Sequence, residues 1–256
     1  IIQGSFSDDK TGAFTLNNYQ HMLGQASNLH AFETSISLSL VTALLGGIVG
    51  TLAAYGVYNL RTSWLRNFLI GFSSIAANFA GVPLAFAFVA TLGVTGFITV
   101  GIHDWLHVSL YDLGFSLYSF WGLVIVYMYF QLPLMILVTL PAMNALRPEW
   151  REAATNLGAS NFTYWRRVAL PVLLPSLVAA TMLLFANSFG AFATAFALAQ
   201  GSINLVPILI NFVVNGNVLV DFGLGNALAV GMIVVLLVAV SLYTAMVRRV
   251  STWQGR

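Results

Sequence analysis

The sequence predicts an all-α membrane protein: a polytopic helical bundle of five spans, with a cytoplasmic helix-turn-helix loop. Three observations carry that prediction. Of the 256 residues, 59% are hydrophobic and only 7% charged, with mean hydropathy +0.86, whereas a soluble domain carries about 25% charge. Five apolar runs near 35–59, 67–91, 119–142, 170–198 and 226–247 are long enough to cross a bilayer. Charge, finally, sorts by side. Arg61, Arg66, Arg147, Arg151, Arg166, Arg167, Arg248, Arg249 and Arg256 fall in alternate loops or after the last span; Asp8, Asp9, Lys10, Glu33, Asp104, Asp112 and Asp221 lie opposite. Positive residues mark the cytoplasmic face, so the first residue is placed outside and the C-terminus inside.

Residues 1–256 are read as one transmembrane domain, with residues 1–32 as an external segment. In that segment Thr15 is placed to cap a short helix through His21 and Met22. The chain begins Ile1-Ile2 rather than with Met, which leads to the expectation of a further hydrophobic span upstream and six in the full-length protein. Glu33 sits at the mouth of the first span, as an interfacial carboxylate or a substrate contact. Within 35–59, Gly46, Gly50 and Ala54 recur every four residues, a ridge that lets a neighbouring helix approach.

The second span holds Asn78, Gly81 and Pro83, a breakable polar point that reads either as a kink facing the bundle or as a position lining a path. Residues 92–118 are glycine-punctuated and external. Their His103-Asp104-Trp105-Leu106-His107 resembles the H-E-x-x-H zinc helix, but Asp replaces Glu and no third ligand follows, so an interfacial segment is expected and no metal. In the third span, Gln131 must find a partner at membrane depth, and Pro133 frees a carbonyl one turn earlier. Pro171 and Pro175 open the fourth, which carries Asn187, Ser188 and Gly190. Asn78, Gln131, Asn187 and Ser188 are the candidate solute-path residues, with hydrogen bonding between helices as their other reading. Residues 199–225 return outside with Pro207, Asn211, Asn215, Asn217 and Asp221. Their apolar run 205–214 is too short to span. The last span is aliphatic.

Residues 143–169 form the long polar loop. Pro148 suits the first helical position, and Glu149 and Glu152 fall where the macrodipole favours carboxylates. Gly158 is a natural stop, expected at positive φ. Ser160 or Asn161 then caps a second short helix that ends on Arg166 and Arg167. Ala153, Ala154 and Gly158 give the first helix a face with almost no side chain, open to close approach by another protein's backbone.

The spacing is specific. Glu152-Ala153-Ala154, three residues, Gly158, then nine residues to Val168-Ala169-Leu170-Pro171 resembles the EAA loop of permease subunits of ABC importers, with Val168 for the family's Ile as the departure. That resemblance implies docking of the loop, through Arg151, Glu152, Ala153, Ala154, Gly158 and Pro171, into a groove of a separate ATP-binding subunit. It further implies a second permease subunit, an extracytoplasmic solute-binding protein and a bacterial inner-membrane location. ATP and Mg would be bound by the ATP-binding partner, with no cofactor in this chain. No nucleic acid is expected. Thr15-Leu16-Asn17-Asn18-Tyr19 and Ala186-Asn187-Ser188-Phe189-Gly190-Ala191-Phe192-Ala193-Thr194-Ala195 resemble the polyamine branch, while phosphonate, ferric iron, sulfate and amino-acid-like solutes remain alternatives.

Other function classes are disfavoured by what the residues lack. The sole lysine, Lys10, follows no glycine-rich turn, so the chain has no phosphate loop of its own. It has no cysteine, no Gly-x-Ser-x-Gly elbow and no pair of carboxylates within a span. An intramembrane serine hydrolase stays open only through an unrecognised serine. An ion-coupled secondary transporter generally places ionisable groups in the membrane and shows a repeat; here every charge fits a loop or interface, and no repeat is seen.

Overall fold

The computed structural model describes residues 1–9, 11–199, 202–216 and 220–254, with side chains up to residue 245. Lys10, Asn217, Arg256 and the side chains of Arg248 and Arg249 lie outside the described residues. The fold is 78% helical, without strands among the described residues. Among the described residues, five helical segments are long and apolar enough to cross a membrane: Ala26–Tyr58, Val82–Leu106, Phe120–Asn144, Asn161–Phe189 and Phe222–Ala245. The chain divides into two compact units.

The first unit comprises Ile1–Val41, Ala80–Val126 and Ala186–Ala239. It opens with α1 (Ile2–Ser5) and α2 (Asn17–Gly24). Thr15 Oγ1 accepts the Asn17 N–H at 3.1 Å, one position before the residue that caps α2. The next helix, α3 (Ala26–Tyr58), begins nine residues before the expected span. Two of its polar early residues are bonded to the segment 204–206. Asn204 Nδ2 donates to the Ser27 carbonyl, and Ser35 Oγ accepts the Val206 N–H at 2.9 Å. That N–H belongs to the first turn of α12 (Val206–Asn215), ten residues long and too short to span. Met22, Ala31, Val206, Leu224, Ala227 and Leu228 close this unit's core, the last three from α13 (Phe222–Gln254).

The expected span 67–91 is two helices, α4 (Ser63–Asn78) and α5 (Val82–Leu92). The break has a clear cause. Gly81 adopts φ 78°, its N–H donates to Thr194 Oγ1 at 2.7 Å, and the same hydroxyl donates back to the Gly81 carbonyl at 3.3 Å. Pro83 then starts α5. Thr194 lies on α11 (Ala193–Ala199), so this clasp ties two helix starts together. Residues 92–118 are also more ordered than the expected punctuated loop: α6 (Phe97–Leu106) follows a turn at 93–96. His107 caps α6 in the left-handed region, φ 53°, so it leaves the helical face of His103. No group of three metal-binding side chains occurs among the described residues.

The second unit comprises Thr42–Phe79, Tyr127–Phe185 and the chain from Val240 onward. The small-residue ridge of α3 works here as expected. A Cβ on Gly46 would stand 3.2 Å from Gln131 Cβ, and one on Gly50 would stand 2.5 Å from Met135 Cβ. These partners lie on α7 (Phe120–Asn144), which runs through Pro133 and Pro141. Ala54 is buried with Met143, Leu146, Tyr164, Ala169 and Leu173. Replacing side chains by hydrogens lets backbones meet where lipid supplies no hydrophobic drive.

The fourth long helix corrects two expectations. It does not begin at 170. α9 (Asn161–Tyr164) passes through a π turn, Trp165–Ala169, into α10 (Leu170–Phe189). Arg166 and Arg167 therefore lie in a continuous helix, not at a helix end. Pro171 lacks the N–H that a regular helix needs, and its ring would meet the Arg167 carbonyl; the wider turn, in which the Leu170 N–H reaches the Trp165 carbonyl, accommodates it. The helix stops at Phe189 rather than 198, where Gly190 breaks it before α11.

Candidate coupling loop and solute path

The first helix of the polar loop is α8 (Pro148–Asn156), with Pro148 in its first turn and Glu149 the first-turn acid. It ends in a Schellman arrangement. Gly158 has φ 75°, its N–H donates to the Thr155 carbonyl, and the Ala159 N–H reaches back to the Ala154 carbonyl, both at 2.9 Å. These bonds satisfy the last carbonyls of the helix. Ser160 Oγ then accepts the Thr163 N–H at 3.2 Å and caps α9. Arg151 Nη2 donates to Asn161 Oδ1 at 3.4 Å, linking the two helices.

The face with almost no side chain is divided. Ala153 and Gly158 are exposed, and a Cβ on Gly158 would meet nothing within 4 Å. Ala154 instead turns inward, half-buried against the cluster around Tyr164 and Leu146. Ala154 and the half-buried Ala159, five positions apart, occupy the two places flanking a Schellman turn where apolar side chains commonly pack. Glu152 is exposed, with no ion pair among the described residues. Pro171 is half-buried within α10. Three exposed apolar side chains complete the loop surface: Leu157 at 87%, Phe162 at 72% and Trp150 at 38%. Sequence reasoning passed over them. Their signal was large apolar residues in a polar segment.

The four path candidates separate by burial. Gln131 is fully buried; its Nε2 donates to the Leu184 carbonyl at 2.9 Å, and its Oε1 has no partner among the described residues. Asn78 is exposed and donates to the Ser74 carbonyl of its own helix at 2.8 Å. Asn187 is exposed in the last turn of α10, beside a buried Ser188. In the first unit, a cavity of about 590 Å³ is lined by Val82, Phe86, Val89, Tyr118, Phe196 and Phe212, a volume within the range of small-molecule sites. The Gly81–Thr194 clasp joins the two helices, α5 and α11, that form much of its wall.

Residues 46–252 match the model of the family described as binding-protein-dependent transport system inner membrane component. The spermidine/putrescine transport system permease protein PotC of Haemophilus influenzae is 27% identical over 253 residues, which cover 97% of this chain and 90% of that protein. The sulfate transport system permease protein CysT of Escherichia coli is 27% identical over 177 residues, 68% of this chain and 60% of that protein. Among solved structures, a bacterial ABC transporter involved in the import of the acidic polysaccharide alginate superposes with a TM-score of 0.80 at 17% identity, over 97% of this chain and 87% of that one. At that identity the likeness concerns the fold.

Proposed function

The chain belongs to the family of binding-protein-dependent transport system inner membrane components and is a multi-pass permease subunit of an ABC importer; on that premise we propose that its solute is a polyamine such as spermidine or putrescine. The observation that supports this solute is a likeness to a spermidine/putrescine permease along 97% of the chain. The shorter match to a sulfate permease makes sulfate the second reading.

The chain performs no chemistry in this account. Hydrolysis of ATP, with its Mg, belongs to a separate ATP-binding subunit, and solute arrives from an extracytoplasmic binding protein. A second permease subunit completes the membrane pair. The arginine-bearing loops face the cytoplasm, so α8 and the Gly158 turn that ends it present Glu152, Ala153 and Gly158, flanked by Leu157, to a groove of the ATP-binding subunit. Closure of the ATPase pair would then move this hairpin and, through the uninterrupted run from α9 into α10, the helix that carries Asn187. Asn187 and the 590 Å³ cavity line the solute path. Gln131 holds α10 in place from the side.

Thermal shift of the cognate binding protein against spermidine, putrescine, sulfate and phosphonate tests the solute. Stabilisation by sulfate alone would overturn the polyamine reading. The permease purified without its partners should move no solute down an ion gradient, and movement there would return the ion-coupled alternative.

A further inference from the structure

A second cavity, of about 510 Å³, lies beside the coupling loop, and two residues assigned above to docking, Arg151 and Glu152, stand on its wall. It is lined by Tyr58, Arg147, Arg151, Glu152, Thr155 and Tyr164. Tyr164 is 5% exposed, its ring held in the cluster with Met143 and Leu146. Its hydroxyl makes no hydrogen bond among the described residues, and neither does the Tyr58 hydroxyl or the Arg147 guanidinium. Arg151 spends one donor on Asn161. The Tyr164 phenol lines the cavity while its ring is buried. Two guanidinium groups beside it, against the single carboxylate of exposed Glu152, leave the lining rich in donors and net positive.

We infer that this cavity is a binding site for the phosphodiester of an anionic phospholipid headgroup. Guanidinium forks match phosphate oxygens in pairs, and the hydroxyls of Tyr58 and Tyr164 supply two further donors. Depth decides between a lipid and a soluble phosphate. Tyr58 is the last residue of the membrane-crossing α3, and Leu146 and Trp165 give the same cavity an apolar wall, so the site lies where a headgroup meets the acyl boundary. Basic pockets between membrane helices on the cytoplasmic side are a general means of holding such headgroups. The inference goes beyond the solute reading and does not depend on it.

The test uses the assembled importer and native mass spectrometry with added phosphatidylglycerol, phosphatidylethanolamine or soluble glycerol phosphate. Phosphatidylglycerol should be retained about tenfold more strongly than the zwitterionic lipid, with roughly another tenfold lost for each charge-assisted bond removed in the Arg147→Gln, Arg151→Gln double variant. Tyr164→Phe keeps the ring packing and should weaken retention several-fold, whereas an Arg166→Gln, Arg167→Gln double variant should retain the lipid normally. Equal retention of the two lipids, an unaffected Arg147/Arg151 variant, or glycerol phosphate competing at the same concentration would each overturn the inference. So would crosslinks from Tyr58 that reach the ATP-binding subunit in place of lipid.

Discussion

Gln131 Nε2 and the Leu184 carbonyl are joined by a 2.9 Å hydrogen bond inside the second unit, while Gln131 Oε1 is buried without a partner among the described residues. Side-chain ties of this kind within a bilayer are worth about 0.6 kcal/mol, reaching roughly 1.7. Gln131→Leu should therefore lower stability by no more than about 2 kcal/mol and reduce uptake without changing solute preference. Denaturation of the purified complex and competition uptake measure the two effects. A changed preference with unchanged stability would move Gln131 into the path.

Thr194 is the sole side chain bonded to both polar atoms of the Gly81 peptide among the described residues. Thr194→Val keeps the shape and leaves a part-buried N–H unsatisfied, which costs about 1–3 kcal/mol. Gly81→Ala must place a Cβ at φ 78° and ψ −150°, a region essentially reserved for glycine, at roughly 1–3 kcal/mol. Both should lower the melting temperature of the permease and weaken uptake. An unchanged melting temperature in both variants would show that the clasp does not hold α5 to α11.

Much of this structure was legible in the residues. Five helices of span length, the glycine ridge of α3, the Gly158 stop and the Ser160 cap all followed from composition, periodicity or turn chemistry. The errors arose where a tertiary partner replaced water or lipid. The apolar run begins near 35, whereas α3 begins at Ala26; the polar Asn28 and Ser35 are buried in it, and Ser35 is matched by Val206. Asn78, Gly81 and Pro83 marked a weak point correctly, but only Thr194, 113 positions away, converts a kink into a break. At Pro171 the local rule for a helix start was overridden by a π turn that accommodates proline within a longer helix. Ala154 was grouped with Ala153 because both are small. Which way each points is set by the Schellman turn, and adjacent positions on a helix do not share a face.

The arginine asymmetry predicts the sidedness. Because the chain has no cysteine, single cysteines report cleanly. Those replacing the exposed Ser63 and Thr155 should resist an impermeant thiol reagent applied outside, whereas those replacing the exposed Thr11 and Ser202 should react. The reverse pattern would invert the orientation.

Asn187 is exposed where α10 ends, so its amide is available to solute without breaking a helix tie. Asn187→Leu should raise the KM for solute while stability and attachment of the ATP-binding subunit stay unchanged. Loss of attachment with an unaltered KM would remove Asn187 from the path.

Coupling is tested most sharply by residues that differ only in where they point. Ala153 is exposed and Ala154 half-buried against its own hairpin, so the same enlargement has two consequences. Ala154→Leu overpacks the hairpin and should destabilise the permease itself, by about 1–3 kcal/mol. Ala153→Leu leaves the isolated permease intact and should instead abolish co-purification of the ATP-binding subunit. At Gly158 the difficulty is conformational, since a Cβ there meets no atom but φ is 75°. Gly158→Val should uncouple the hairpin, and Gly158→Asn, which tolerates the left-handed region, should restore assembly and solute-stimulated ATP hydrolysis. Glu152→Ala then gauges the remaining electrostatic contact: a loss under about 1 kcal/mol marks an exposed pair, and one of about 2–5 kcal/mol marks a charge buried on docking. Normal assembly and uptake in both Ala153→Leu and Gly158→Val would place the docking surface elsewhere on the chain.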